Sequence, residues 1–307
     1  MVRMVAGIRY PQRHPRHAAN PHNAWIRFVG DRSRKFRMSE STLSETPTKR
    51  SWREALMVYL QPESLRMLSL GFAAGLPLML VLGTLSFRLR EAGIDRGTIG
   101  HLSWVGLAYG FKWIWAPIVD RVPLPGLTRA LGRRRSWLLI AQIAVMCGLA
   151  GMALANPSVA LQPMVVWALV TAFASATQDI ALDAYRIESA PAKEQPALAA
   201  SYQTGYRLAM IWSGAGVLWL AARAELSGGA VGYQNAAWQL AYLVMAASML
   251  VGIVTVLISP EPKRIELPAA RSAAEWLQST LIEPFADFFR RYKWHAAVSL
   301  ALIAVYR

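Results

Sequence analysis

Six long stretches almost free of charge decide most of what this chain can become. They are residues 67–87, 97–119, 136–155, 160–182, 197–222 and 236–259. The first, third and sixth carry no Lys, Arg, Asp or Glu, and the others carry one each: Lys112, Asp179 and Arg207. A helix rises about 1.5 Å per residue, so about 20 apolar residues cross a hydrocarbon core of about 30 Å. Six charge-poor runs of this length do not suit a soluble core. Only 17% of the 307 residues are charged, against about 25% in soluble domains. The sequence predicts an all-α polytopic membrane protein. Residues 1–50 read as a disordered basic N-terminal arm, 51–259 as a six-helix transmembrane bundle, 260–293 as a loop with an amphipathic helix, and 294–307 as a truncated seventh span.

The run that opens at Trp294 ends with the sequence at Arg307. As a helix it reaches only about 20 Å, so the chain reads as the front part of a longer protein. The loop before it spaces Trp276, Leu277, Leu281, Ile282, Phe285, Phe288 and Phe289 along one helical face. A helix lying on the membrane surface and a linker between two bundles both fit that pattern. Met38 begins a plausible alternative start, which would leave residues 1–37 untranslated.

The net charge of +15 is distributed unevenly. Residues 1–64 and the alternate loops 120–135, 183–196 and 260–293 hold 25 Lys and Arg, and the connections 88–96, 156–159 and 223–235 hold 4. Lys and Arg accumulate on the cytoplasmic side of membranes. The bias therefore predicts a cytoplasmic N-terminus, and it assigns the basic charge to anionic lipid headgroups rather than to nucleic acid. One cysteine, Cys147, excludes an intramolecular disulfide framework and a Cys-rich zinc site. His14 and His17 in the arm are a weak metal signal, and no metal or cofactor is expected. The chain has no G-x-x-x-x-G-K-[ST] loop, no H-E-x-x-H and no credible nucleophile triad. It reads as a transporter without an ATP engine, and not as an enzyme.

The three intramembrane charges are the chemical signal. An ionisable residue inside a span costs about 2.5–3.5 kcal/mol on insertion scales, so it usually faces a cavity or a partner. Thr171, Ser175, Asp179 and Asp183 step by four and share one helical face. Two readings are open. Asp179 either forms a static pair with Lys112 or Arg207, or it changes protonation during transport while a cation holds the cargo's carboxylate. Asp179 and Asp183 are the proton-coupling candidates, and Asp183 also suits a helix-end salt bridge with Arg186. Lys112, Arg207, Gln178, Tyr109, Tyr206 and Gln203 are the cavity candidates, since amides bond hydroxyls and aromatic rings stack on sugars. The pairs Gly71/Gly75 and Gly106/Gly110 have the spacing that lets helices approach closely.

After the second run the chain reads APIVDRVPLPGLTRALGRRRSW. Asp120, Arg121, Gly132, Arg133, Arg134 and Arg135 resemble the cytoplasmic gating signature of the major facilitator superfamily, G-x-x-x-D-R-x-G-R-R. Pro117 stands near the first Gly position, and ten residues separate Arg121 from Gly132. The runs LGFAAGLPLMLVLGTLSFRLREAGIDRGTIGHLSWVGLAYGFKWIWAPIVDR, GRRRSWLL, ASATQDIALDAYRIE, SYQTGYRLAMIWSGAG and EPFADFFRRY are similar to the AmpG family of muropeptide permeases. That resemblance covers residues from about 52 to 307. It implies the N-terminal bundle of a major facilitator fold in a bacterial inner membrane. It also implies a secondary active, proton-coupled symporter that imports anhydromuropeptides (GlcNAc–anhydromuramyl peptides) for peptidoglycan recycling and β-lactamase induction. The missing C-terminal half would supply the cavity's other wall. A facilitator for another metabolite or drug, and a non-transporting membrane fragment, are the alternatives.

Overall fold

In a computed structural model the described residues are 57–229, 232–262, 278 and 283–306, all helical or in the turns between helices. The basic arm and Trp276, Leu277, Leu281 and Ile282 of the amphipathic stretch lie outside them. Among the described residues four helices are long and apolar enough to cross a membrane: Pro62–Glu91, Arg133–Leu154, Leu161–Ser189 and Asn235–Ile258. The runs 97–119 and 197–222 are also helical, but both are interrupted.

The first run forms α1 (Pro62–Val81) and α2 (Gly83–Glu91). Pro62 starts α1, where a missing N–H costs nothing. The helix continues through Pro77 and breaks at Leu82 (φ −104°, ψ −73°). The second run is fragmented into α3 (Arg96–Leu102), α4 (Leu107–Phe111) and α5 (Ala116–Arg121), joined by 3₁₀ turns at Ser103–Gly106 and Lys112–Ile114. Asp95 caps α3 by accepting from the Thr98 amide. Pro117 has no N–H to donate one turn back, which disfavours regular helix at Trp113–Trp115.

A short α6 (Leu127–Leu131) leads through Gly132, at φ +88°, into α7 (Arg133–Leu154). Then come α8 (Leu161–Ser189), α9 (Gln195–Ile211) and α10 (Val217–Gly228), with a π-helical turn at Trp212–Gly216 between the last two. The sixth run gives α11 (Asn235–Ser248) and α12 (Leu250–Ile258). Helices α13 (Glu283–Tyr292) and α14 (Trp294–Tyr306) follow, separated by Lys293 at φ +47°. Phe288 and Phe289 on α13 stand edge to face, 6.1 Å apart.

Small residues set the closest contacts. A Cβ on Gly71 or Gly75 of α1 would overlap the backbone of Tyr202 or Tyr206, and one on Gly205 of α9 would overlap Leu68. Helices α1 and α9 therefore pack backbone to backbone. The pair Gly106/Gly110 behaves differently: Gly106 meets only the Leu82 side chain, and Gly110 faces open space. That spacing does not mediate a helix contact here, because the 3₁₀ turn at Ser103–Gly106 changes the face it presents. Helices α7 and α8 run antiparallel, with Gly148 on Thr171 and Gly151 on Trp167. Two buried clusters fill the interior. One is built around Leu76, Leu80, Leu149, Met152, Trp238 and Tyr242, the other around Met67, Leu70, Leu138, Leu182 and Tyr185. Trp104, Trp113, Phe173, Trp219 and Val254 are exposed on the outside. An apolar outer surface of this kind suits lipid rather than water.

Candidate functional site

Run two and α8 bring together two of the charges that the sequence singles out, Lys112 and Asp179. Lys112 Nζ lies 3.4 Å from Asp179 Oδ2, with side chains 21% and 15% exposed. The 3₁₀ turn at Lys112–Ile114 aims this lysine inward. It is held in place where the Trp115 indole donates to Thr177 Oγ1 (3.1 Å) and stacks obliquely on Phe173 at 5.3 Å. Thr171 and Ser175 share the Asp179 face and are fully buried. The buried Tyr109 hydroxyl sits near Ser175, Asp179 and Tyr206. From α9, Tyr202 and Tyr206 lie 5.9 Å apart and face the same carboxylate. One lysine, one carboxylate, three phenols and a serine hydroxyl thus converge from three segments. Such a set places a charged pair beside hydroxyl and aromatic groups.

The other sequence candidates sit elsewhere. Arg207 and Gln203 are exposed on α9, and the nearest polar contact of Arg207 is Met210 Sδ at 3.9 Å. Gln178 is fully buried, with neither amide atom hydrogen-bonded. Asp183 is exposed and pairs with Arg186 at 3.5 Å, one turn along α8.

A second charged cluster lies at the end where α7 begins and α8 stops. Arg134 donates to Asp120 Oδ1 (2.6 Å) and to Glu188 Oε1 (2.6 Å), tying α5, α7 and α8 together. Arg133 stands 4.0 Å from Glu188. Glu261, just past α12, accepts from the backbone amides of Arg134 (2.8 Å) and Arg135 (3.1 Å). Its side chain occupies the space a Cβ on residue 132 would need, so Gly132 is required twice, for its φ and for this contact. Arg135 reaches back to the carbonyls of Val256 (2.8 Å) and Leu257 (2.6 Å) at the end of α12. The Tyr185 hydroxyl donates to the Pro260 carbonyl (2.9 Å). Arg121 closes α5 beside Asp120. The stretched spacing of the sequence signature is absorbed by α6, which loops out and returns Gly132 to the cluster.

The sequence pattern does not single out Glu188 or Glu261. Glu188 carries a weak signal, being the acid nearest the end of an arginine-flanked helix; Glu261 sits between two prolines and reads as loop. Arg88, counted there among the connection charges, is fully buried. Its guanidinium donates to the carbonyls of Met152 and Ala155 (2.8 Å each) and to Asn235 Oδ1 (3.1 Å), and lies 5.1 Å over the Tyr242 ring.

A family model described as acetyl-coenzyme A transporter 1 matches residues 65–259. The anhydromuropeptide permease of Escherichia coli (strain K12) is 39% identical over 252 residues, which cover 82% of this chain and 47% of the relative. A putative transporter, AmpG 4, of Rickettsia conorii is 34% identical over 235 residues, covering 76% of this chain and 54% of the relative. The chain spans about half the length of these curated relatives.

Proposed function

The chain belongs to the family described as acetyl-coenzyme A transporter 1, and from that premise we propose that it is one bundle of a proton-coupled importer of anhydromuropeptides. The cargo class is supported by the permease of Escherichia coli, whose name states it. The coupling rests on one observation, the half-buried Lys112–Asp179 pair ringed by Tyr109, Tyr202 and Tyr206. A carboxylate held by a cation favours its charged form, and separating the two favours protonation. Loading a proton on Asp179 therefore frees Lys112 to meet an anionic group of the cargo. Deprotonation restores the pair and releases both. Asp183, already engaged by Arg186 at the helix end, is the weaker coupling group.

In this reading the six helical runs cross a bacterial inner membrane with the N-terminus cytoplasmic, supported by the division of 25 Lys and Arg against 4 between alternate connections. The Arg134 cluster then closes the cytoplasmic side in one conformational state. A second bundle completes the cavity, supported by the length of the relatives. Imported products would enter wall recycling and signal β-lactamase induction.

Uptake of labelled anhydromuropeptide by the complete transporter in vesicles, with and without an inward proton gradient, tests this. Asp179→Asn should abolish gradient-driven uptake while the protein still reaches the membrane. Uptake at the wild-type level would remove Asp179 from the mechanism. If the pair is only structural, Lys112→Met with Asp179→Leu should transport normally. The description of the matching family favours a second reading, an acetyl-coenzyme A cargo. Uptake of labelled acetyl-coenzyme A that unlabelled muropeptide does not compete, with no uptake of labelled muropeptide, would select it.

A further inference from the structure

Runs one, five and six are interrupted where they meet one another. Run one breaks at Leu82, run five widens into the π-helical turn Trp212–Gly216, and run six breaks at Met249. At Met249 the backbone tightens to i→i+3 bonds. Its amide donates to the Ala246 carbonyl (3.1 Å), and its carbonyl accepts from the Gly252 amide (3.0 Å). Side chains tie the three interruptions together. The Thr84 hydroxyl donates to the Ser213 carbonyl (2.8 Å), and the Trp212 indole donates to Ser248 Oγ (3.1 Å). The Tyr242 hydroxyl of α11 donates to the Leu80 carbonyl (3.0 Å), just before the first break. Short 3₁₀ and π stretches inside long helices often mark hinges or functional sites. Helices α7 and α8, by contrast, run uninterrupted.

On the Arg134 side of the breaks, α1, α9 and α12 form one tight unit. Gly71 and Gly75 of α1 lie on the backbone of Tyr202 and Tyr206, Gly205 of α9 lies on Leu68, and Gly252 of α12 lies on Ala73. Elements packed this closely move as one body, and the change in backbone angle falls on a few residues at their ends. Bonds at the Arg134 end fasten the unit to α7 and α8. Arg135 holds the carbonyls of Val256 and Leu257, Tyr185 holds that of Pro260, and Gln195 Nε2 donates to the carbonyls of Arg186 (3.1 Å) and Ala190 (2.9 Å). Beyond the breaks the other pieces are fixed. Arg88 joins α2 to the end of α7, and the Trp238 indole of α11 donates to Glu91 Oε2 (2.9 Å).

We propose that Leu82, the Trp212–Gly216 turn and Met249 are one hinge, on which α1, α9 and α12 swing as a unit against α7 and α8 when their fastening at the Arg134 end is released. The bonds of Thr84 and Trp212 make the three helices bend together, while the Arg88 end stays in place. Tyr202 and Tyr206 ride on α9, so the swing changes the surroundings of Asp179. The hinge requires neither a particular cargo nor a titrating Asp179, and so goes beyond the importer reading.

Spin labels on the complete transporter in lipid nanodiscs, with its native cysteines replaced, test this without cargo. One pair joins Leu65 on α1 to Ile140 on α7, and the other joins Leu154 on α7 to Leu226 on α10; all four side chains are exposed. Arg135→Met with Tyr185→Phe releases the fastening without stranding a carboxylate. A bend of about 10° over the roughly 25 Å from Leu82 to Leu65 moves that label by about 4 Å. The released variant should show this shift between Leu65 and Ile140 and none between Leu154 and Leu226. No shift at the first pair, or a comparable shift at the second, overturns the hinge. Adding Thr84→Val and Trp212→Phe cuts the bonds between the breaks and should broaden the Leu65–Ile140 distribution; an unchanged width overturns the joint bending. If the released variant does not fold, Thr84→Val with Trp212→Phe alone decides. A Leu65–Ile140 distribution no broader than wild type then overturns the hinge, as does failure of that variant to fold.

Discussion

The two ends of the bundle are each pinned by one buried arginine, and the two are built on different chemistry. Arg134 meets carboxylates, Asp120 and Glu188, with the Arg134 and Glu188 side chains only 7% and 9% exposed. Arg88 meets two carbonyls, an amide oxygen and an aromatic face. Carboxylates on separate helices can part, take up water or a proton, and re-form. The carbonyls of Met152 and Ala155 close α7 and cannot titrate. The guanidinium also complements the negative end of that helix dipole, as the Glu261 carboxylate complements its positive start. The Arg134 end has the make of a latch and the Arg88 end that of a fixed joint.

The largest expected effect is at the latch. Arg134→Ala should destabilise the protein by about 3–5 kcal/mol, because it strands a buried carboxylate. Arg134→Met with Glu188→Leu should recover most of that loss in melting experiments, since apolar replacement of a buried pair is often neutral. If the double variant melts as low as the single, the ion pair is not the unit that matters. Arg88→Ala should cost about 2–4 kcal/mol through a cavity and orphaned carbonyls. No single change of partner should rescue it; rescue through Asn235 would break the contrast between the two ends. Glu261→Ala removes the side-chain acceptor at the start of α7 and should cost about 1–2 kcal/mol. Hydrogen exchange should localise that loss to Arg134 and Arg135.

The smallest effect is expected at Asp95, outside the spans. Hydrogen bonds from the Thr98 hydroxyl and amide hold its carboxyl below the usual range. A depressed folded value means the cap is fully effective above the ordinary carboxylate pKa and is lost as pH falls through the lowered one. Asp95→Ala should therefore speed exchange at the start of α3 near neutral pH and make no difference in strong acid.

The sequence alone carried the helical class, the apolar runs, and the identity of the three charges within them, because hydrophobic length and the cost of a charge in lipid are local properties. It also carried the close helix approach at Gly71 and Gly75, but not the identity of α9 as the partner. Which charges meet was decided only by tertiary structure. Lys112 reaches Asp179 from a 3₁₀ turn, and Arg207 is exposed on a helix whose sequence gives no hint of its rotation. By sequence Arg88 is a loop charge, yet it is fully buried, because its acceptors lie 64 and 67 residues along the chain. A single sequence records which groups are available. Helix rotation and register, set by packing over the whole bundle, choose their partners.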